Sequence, residues 1–225
     1  MTGRLLVVTG TGTGIGKTHL AEALLLGWAA RGLHVVGLKP VESGVGPDVL
    51  TDARRLSRAS NVHVAPFGVA LPDPVSPHLA ARRAGVTLDL SLLREGILAA
   101  RDLAHLVLVE LPGGLFTPLA PRILNADFAE SLSPDATLLV APDRLGVLHD
   151  LLAVFRATGS RPATAIALIA PEHADAATGS NATELALLLP TVPVFPVDRA
   201  SPPALATSRS VLELLTRLTT DRAAR

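Results

Sequence analysis

The stretch VVTGTGTGIGKTHLAEALLLGW, residues 7–28, restricts what this chain can fold into more than any other part of it. A short apolar run ends in glycines and threonines, Gly16-Lys17-Thr18 comes next, and apolar residues at helical spacing follow. A buried strand joined to a helix by a glycine-rich turn is typical of a phosphate-binding loop, because glycines let several backbone N–H groups face one anion. The positive end of the helix dipole strengthens the same site.

This loop is a variant of the usual pattern. The form G-x-x-x-x-G-K-S/T would need glycine at position 11, where the chain has threonine, so the stretch fits the looser G-T-x-T-x-x-G-K-T. We expect the backbone of Gly14, Ile15 and Gly16 to hold a phosphate. Lys17 would supply a positive charge, and the Thr18 hydroxyl would ligate Mg²⁺. The alternative is a glycine-rich turn without a ligand.

Apolar strands and amphipathic helices alternate along the rest of the chain. The hydrophobic pattern predicts strands over residues 4–9, 34–38, 105–109, 136–141, 163–170 and 192–197. It predicts helices over 17–31, 51–60, 88–102, 147–157 and 207–221, loops over 39–50 and 111–121, and a proline-rich irregular crossing over 66–77. This alternation indicates one α/β domain over residues 1–225, with a mostly parallel central sheet covered on both faces.

The composition argues against several classes of function. Lys and Arg together number 20, as do Asp and Glu, and this neutral balance gives no support for a nucleic-acid or anionic membrane partner. The absence of cysteine excludes a disulfide framework, a thiol nucleophile and a thiolate metal site, and it fits a cytoplasmic protein. We expect no signal peptide and no membrane helix, since no window approaches the roughly 20 apolar residues that a bilayer span needs.

Three charged residues lie in or next to loops that follow predicted strands. These loops are at the sheet edge where ligands bind in such folds. Lys39 could stabilise a transferring phosphoryl group, or it is a solvated lysine before a turn. Asp52 begins a predicted helix, where it could ligate Mg²⁺ or cap the helix. Glu110 ends a buried strand, where a carboxylate is costly unless it is metal-bound or forms a salt bridge.

Two further segments each have two interpretations. The predicted helix start at 145–148 could offer free N–H groups to a second anion, such as a substrate carboxylate, or it is an ordinary helix start. Ser76 and His78 flank Pro77, but no G-x-S-x-G elbow surrounds them, so we interpret Ser76 as a helix cap rather than a nucleophile.

Six segments together resemble the dethiobiotin synthetase family. They are VVTGTGTGIGKT, GLKPVESG, TDARRL, PVSPHLAARRAG, LVLVELPGGLFTPL and RLGVLHD, and they run in the family's order over about two-thirds of the chain. The phosphate loop alone would not select this family, because many ATPases share it. The segments around KPVESG and GGLFTPL narrow the choice among families that have a phosphate loop.

The resemblance implies a P-loop NTPase-like, three-layer fold, usually as a homodimer, that uses ATP and Mg²⁺. It implies carboxylation and ring closure of diaminopelargonate with CO₂ to give dethiobiotin, through a carbamate and a carbamic-phosphoric anhydride. By matching position, Thr18, Asp52 and Glu110 would hold Mg²⁺.

The resemblance also implies roles at the reacting groups. Lys17 and Lys39 would stabilise the phosphoryl group, and Ser43 would contact the carbamate or phosphate. The helix start at 145–148 would take the substrate carboxylate, with the partner subunit of the dimer as one source of that contact. Small residues of two loops would help hold substrate and cofactor: Thr13, Gly113 and Gly114.

Three departures from the family's pattern leave questions open. Gly12 and Gly14 stand where the family often has acidic residues, and Pro112 lacks a backbone N–H where donors would grip substrate. Pro171-Glu172 replaces an Asn-Asp pair that favours adenine, which leaves open the use of other nucleoside triphosphates. The alternative function is a catalytically weakened, nucleotide-binding homologue with a regulatory or assembly role. A partition-type ATPase switch is less favoured, because residues 9–13 lack the second lysine such proteins need.

Overall fold

The computed structural model of the chain describes residues 2–46, 50–65, 67–159 and 163–220. Its strands are β1 (Arg4–Gly10), β2 (Val35–Leu38), β3 (Val41–Ser43), β4 (Val69–Leu71), β5 (Leu106–Glu110), β6 (Pro118–Ala120), β7 (Ile123–Leu124), β8 (Ala136–Pro142), β9 (Ala165–Ile169) and β10 (Val194–Val197). Its helices are α1 (Lys17–Ala29), α2 (Asp52–Ala59), α3 (Pro77–Ala84), α4 (Leu90–Ala100), α5 (Asn125–Ser131), α6 (Val147–Ala157), α7 (Asn181–Leu188), α8 (Pro202–Leu205) and α9 (Arg209–Thr219).

Six strands form the central sheet, in the order β10-β9-β8-β1-β5-β2. Every neighbouring pair in it is parallel, which confirms the predicted parallel sheet. β1 lies between β5 and β8, and its register sets Val8 opposite Glu110 and Gly10 opposite Val140. The glycine-rich loop after β1 therefore begins beside the end of β5, at the edge where ligands bind in parallel sheets.

Helices cover both faces of the sheet, so the predicted three-layer arrangement is confirmed. One core cluster packs side chains of α1, α2 and α9 on the sheet, among them Trp28, Leu56 and Leu214. The opposite face carries α3, α4 and α5, and a third cluster joins α6 and α7 to β8 and β9. Strands buried on both faces explain why their sequences are continuous apolar runs.

Several short elements differ from the sequence-based expectation. The predicted loop over 39–50 contains β3, which pairs in parallel with β4 from the crossing predicted to be irregular. The predicted loop over 111–121 contains β6, which pairs with β7 in antiparallel fashion. The pattern also missed α5, α7 and the short α8. A strand of two or three residues is too short to show a period, so only its tertiary pairing defines it.

The remaining predicted elements are confirmed to within two residues at each end. Residues 47–49, 66 and 221 of the predicted segments lie outside the described residues. Within the described ranges, no helix combines the length and the apolar character that crossing a bilayer requires.

Candidate active site

The glycine-rich loop joins β1 to α1 as the sequence predicts. Gly14 and Gly16 have φ angles of 68° and 91°, a left-handed conformation that glycine adopts without strain. Gly16 is the residue before α1, so the first N–H groups of that helix point out of its end toward the loop. The Lys17 ammonium donates to the carbonyl oxygen of Gly12 at 2.6 Å and so lies along the loop.

Four side chains from separate parts of the chain meet next to this loop. The Thr18 hydroxyl donates to Oε1 of Glu110 at 2.9 Å. The Lys39 ammonium donates to the same Oε1 at 2.8 Å and to Oδ2 of Asp52 at 2.5 Å. Glu110 is only 1% exposed and Lys39 only 9%, so water screens their charges little. The structure thus brings together the residues predicted to act on phosphate and metal.

Lys39 and Asp52 hold each other in the ionised form. Burial by itself would lower the pKa of Lys39, but the charges of Glu110 and Asp52 outweigh burial and raise it above 10.5. Burial would likewise raise the pKa of Asp52, but the hydrogen bond and charge of Lys39 keep it below 3.8. For Lys17, burial outweighs the charges of Glu110 and Asp52 and lowers its pKa to about 8.

Three residues that the sequence analysis did not select hold Asp52 in place. Glu42 accepts hydrogen bonds from the backbone N–H groups of Asp52 and Ala53, at 2.8 and 3.2 Å, and so caps α2. Arg55 lies 3.4 Å from Oδ1 of Asp52 and forms a two-point ion pair with Glu22 of α1. The sequence could have indicated the contact of Arg55, because Arg55 follows Asp52 by three residues and so lies one turn further along the same face of the helix.

The oxygen atoms of the cluster fit a magnesium ion. Oε2 of Glu110 is buried and has no hydrogen-bond partner within the described part of the chain, although a buried carboxylate oxygen normally has one. Hydroxyl and carboxylate oxygens are the donors that Mg²⁺ prefers. Among the described residues, no cluster of three or more His, Cys, Asp or Glu could hold a metal. An ion here would therefore need the Thr18 hydroxyl and phosphate oxygens in addition to the carboxylates of Asp52 and Glu110.

The loop after β5 packs directly on the phosphate loop. Leu115 donates its N–H to the carbonyl of Gly10 at 2.9 Å. A Cβ atom on Gly114 would lie only 3.1 Å from the carbonyl oxygen of Gly10, so a larger residue would push the two loops apart by a few tenths of an ångström. The N–H of Gly114 donates to the Thr117 hydroxyl, which ties this predicted substrate contact into the loop itself. Gly113 has a φ angle of 69° and is half-buried.

A cavity of about 740 Å³ opens on the other side of the phosphate loop, a size suited to a nucleoside. Gly14, Ile15 and Gly16 form its floor, and Pro171 and Glu172 contribute to its wall. His19 closes one side, because its Nε2 donates to the carbonyl of Ala200 at 2.6 Å. The departure from the family at Pro171-Glu172 therefore lies where a base would bind.

Two other predicted site residues lie in the segments that follow β1 and β2. Thr13 is exposed within the phosphate loop, and Ser43 ends β3, four positions after Lys39. Of the two interpretations of the segment 145–148, the ordinary helix start fits two of its N–H groups, which are bonded within the chain. Leu145 donates to Asp175 at 2.7 Å, and Val147 donates to the carbonyl of Arg144 at 3.1 Å. Loop residues far along the chain fold back to this helix start, which no local pattern reveals.

Ser76 precedes α3, with Pro77 in its first turn, as predicted. Its hydroxyl lies 3.0 Å from Nδ1 of His78 and makes no hydrogen bond to the helix backbone. Ser76 thus occupies the capping position without the capping bond.

Known proteins are similar to this chain in sequence or in fold. A family model described as an AAA domain matches residues 4–200. The ATP-dependent dethiobiotin synthetase of Nitrosospira multiformis is 40% identical over 150 residues, which cover 64% of this chain and 65% of that protein. The enzyme of the same name from Anaeromyxobacter dehalogenans is 38% identical over 195 residues, covering 82% of this chain and 85% of that protein.

Among solved structures, the signal recognition particle receptor FtsY of Elizabethkingia anophelis superposes with a TM-score of 0.55. The match covers 96% of this chain and 65% of that chain at 16% identity. At this identity the likeness supports a shared fold and nothing further.

Proposed function

This chain belongs to the dethiobiotin synthetase family, and we propose that it converts diaminopelargonate, CO₂ and ATP into dethiobiotin, ADP and phosphate. The observation that carries the proposal is the convergence of Lys39, Asp52 and Glu110 on Thr18 beside the phosphate loop. Phosphoryl transfer depends mainly on positioning and charge stabilisation, and these side chains supply both. Neither the relatives nor the geometry of the described site favours a catalytically weakened homologue.

The reaction proceeds in three balanced steps. One amine of the substrate attacks CO₂ and loses a proton, which gives a carbamate. A carbamate oxygen then attacks the terminal phosphorus of ATP, and ADP leaves. The second amine attacks the carbonyl carbon of the mixed anhydride and loses a proton, phosphate leaves, and the ureido ring closes.

The chain's own residues serve the middle step. Lys17 and the amino end of α1 hold the phosphates, since both present positive charge to the loop. Lys39 stays protonated because two carboxylates face it, and its charge is available to the equatorial oxygens of the transferring group. In this proposal Ser43 contacts the carbamate or the phosphate, and Thr13 and Gly113 help to hold substrate or nucleotide.

Thr18, Asp52 and Glu110 are the residues that would hold Mg²⁺, supported by the unpartnered Oε2 of Glu110. When bound, the ion would neutralise charge on the phosphate oxygens.

The enzyme acts, in this proposal, as a cytoplasmic homodimer without a nucleic-acid or membrane partner. The neutral net charge supports the last two points. The family resemblance supports the homodimer, with a subunit contact at the helix start over residues 145–148. A partner subunit at this edge would complete the binding site for the substrate carboxylate.

The test is a direct assay of the purified chain. Incubation with diaminopelargonate, isotopically labelled bicarbonate, Mg²⁺ and ATP should give dethiobiotin that carries the label in its ureido carbonyl, detected by mass spectrometry. Phosphate should be released in equal amount. Bound nucleotide without labelled product would refute the proposal. Replacing ATP with GTP, CTP or UTP measures the base selectivity of the cavity at Pro171 and Glu172.

A further inference from the structure

Asn125 is a fully buried polar residue that the mechanism above does not use. It is 0% exposed and begins α5. Its Nδ2 donates to the carbonyl of Gly114 at 2.9 Å and to the carbonyl of Pro112 at 2.5 Å. Its backbone N–H donates to the carbonyl of Thr117 at 3.0 Å. One residue thus binds the loop after β5 at three points.

The chemistry of these contacts requires an amide side chain. Two carbonyl oxygens face one side-chain atom, so that atom must offer two hydrogens, and the amide nitrogen of Asn does. An Asp of the same shape offers no donor when ionised and only one when protonated. The Oδ1 atom of Asn125 is buried without a partner in the described residues, a cost that a purely structural residue could avoid.

The loop that Asn125 holds connects the two halves of the catalytic site. It begins one residue after Glu110 and ends where Leu115 bonds to Gly10 of the phosphate loop. Gly114 lies so close to Gly10 that a small shift of the loop must move the phosphate loop or break the contact. The loop is restricted by two constraints: the fixed φ of Pro112 and the hydrogen bonds from Asn125.

We propose that Asn125 is a positioning residue for catalysis: it fixes the 111–117 loop so that Glu110 and the phosphate loop keep their relative positions during phosphoryl transfer. The inference rests on the proposed function for its kinetic part. Misplacement of reacting groups by about 1 Å can cost on the order of 100-fold in rate, so a loosened loop should lower kcat. The glycines and Lys17 still hold the nucleotide, so its binding without metal should change little.

The experiment compares Asn125→Asp with Thr164→Val. Thr164 accepts a hydrogen bond from the N–H of Thr137 at the opposite end of the sheet, and Thr164→Val removes a buried bond there without touching the site. Three quantities are measured: kcat and KM for ATP, the factor by which Mg²⁺ tightens ATP binding, and hydrogen exchange of the Gly114 and Leu115 amides. Thr117→Val, which removes the acceptor for the Gly114 N–H, serves if Asn125→Asp does not fold.

We expect Asn125→Asp to lower kcat by about 10- to 100-fold while KM for ATP stays within about threefold. The Mg²⁺ effect on binding should shrink, and the two amides should exchange faster, whereas Thr164→Val should change none of these. Thr117→Val should change them in the same direction by a smaller factor. The proposal is overturned if Asn125→Asp behaves like Thr164→Val, or if faster exchange leaves both kcat and the Mg²⁺ effect unchanged.

Failure of the proposed function gives a different result. A wild-type chain that makes no dethiobiotin refutes the activity, yet the Mg²⁺ effect and the amide exchange still decide the role of Asn125.

Discussion

Replacing Lys39 by methionine gives the sharpest test of how the site is held together. The substitution keeps the length and apolar stem of the side chain but removes the ammonium that joins Asp52 to Glu110. The two carboxylates then face each other with no cation between them. In the wild type both carboxylates accept a hydrogen bond from the Lys39 ammonium, so their nearest oxygens are at most about 5 Å apart.

The structure sets the size of the effect. At about 5 Å and an effective dielectric constant of about 20, two unit negative charges repel by roughly 3 kcal/mol. Breaking a buried ion pair from one side typically costs about 3–5 kcal/mol, and Asp52, which is 30% exposed, moves the expectation to the lower end of that range. We therefore expect Lys39→Met to lower the free energy of unfolding by about 3 kcal/mol near pH 7.

The pH dependence of the deficit follows from the pKa shifts. Asp52 has a pKa below 3.8 in the folded wild type, so its stabilising effect is complete above that value and is lost as the pH falls through the lower folded pKa. The pKa of Lys39 is raised above 10.5, so its contribution is complete below that value and is lost only as the pH rises further. The deficit of the variant should therefore be constant near neutrality and shrink below about pH 4.

Urea unfolding of wild type and Lys39→Met at pH 7 and at acidic pH measures the deficit. Arg83→Met is the matched control, because Arg83 pairs with Asp73 at 3.0 Å on the surface, where both side chains are more than a third exposed. That variant should lose at most about 1 kcal/mol. The kcat of Lys39→Met should fall by about 100- to 1,000-fold because a preorganised charge at the phosphoryl group is lost. A Lys39→Met chain as stable and as active as Arg83→Met would refute this account of the site.

Three further predictions concern the nucleotide and the metal. Glu110→Gln should abolish most of the tightening of ATP binding by Mg²⁺, because the charged carboxylate oxygens and not the side-chain volume attract the ion. ATP binding without metal should stay within about threefold of wild type, and calorimetric titrations with and without Mg²⁺ decide this. Metal-free ATP affinity should fall as the pH rises above 8, because burial lowers the pKa of Lys17 to about 8 and the charge is lost above it; affinity that is flat up to pH 9.5 would contradict this. Gly114→Ala should weaken nucleotide binding by about tenfold, since its Cβ would press on the phosphate loop at 3.1 Å from Gly10; wild-type affinity in a folded variant would show that the loop adapts freely.

Much of the fold could be predicted because its longer strands and helices show clear hydrophobic patterns. The buried strands read as apolar runs and the longer helices show their period, so their order and the parallel sheet followed from the sequence. The short strands β3 and β6 could not be predicted in this way, because each is defined by its partner, β4 or β7, and not by its own residues.

The same division holds in the candidate site. The sequence determined the phosphate loop, because glycines, Lys17 and Thr18 are neighbours in the chain and act through local backbone geometry. It also placed Lys39 and Glu110 at one edge of the sheet, because parallel strands end together. Only the tertiary structure decided that Thr18 and Lys39 meet at one carboxylate oxygen of Glu110, and that Asn125 and Arg55 hold the surrounding elements. Hydrogen bonds and ion pairs act over about 3 Å, and the chain carries no local mark of which distant residue will come that close once it has folded.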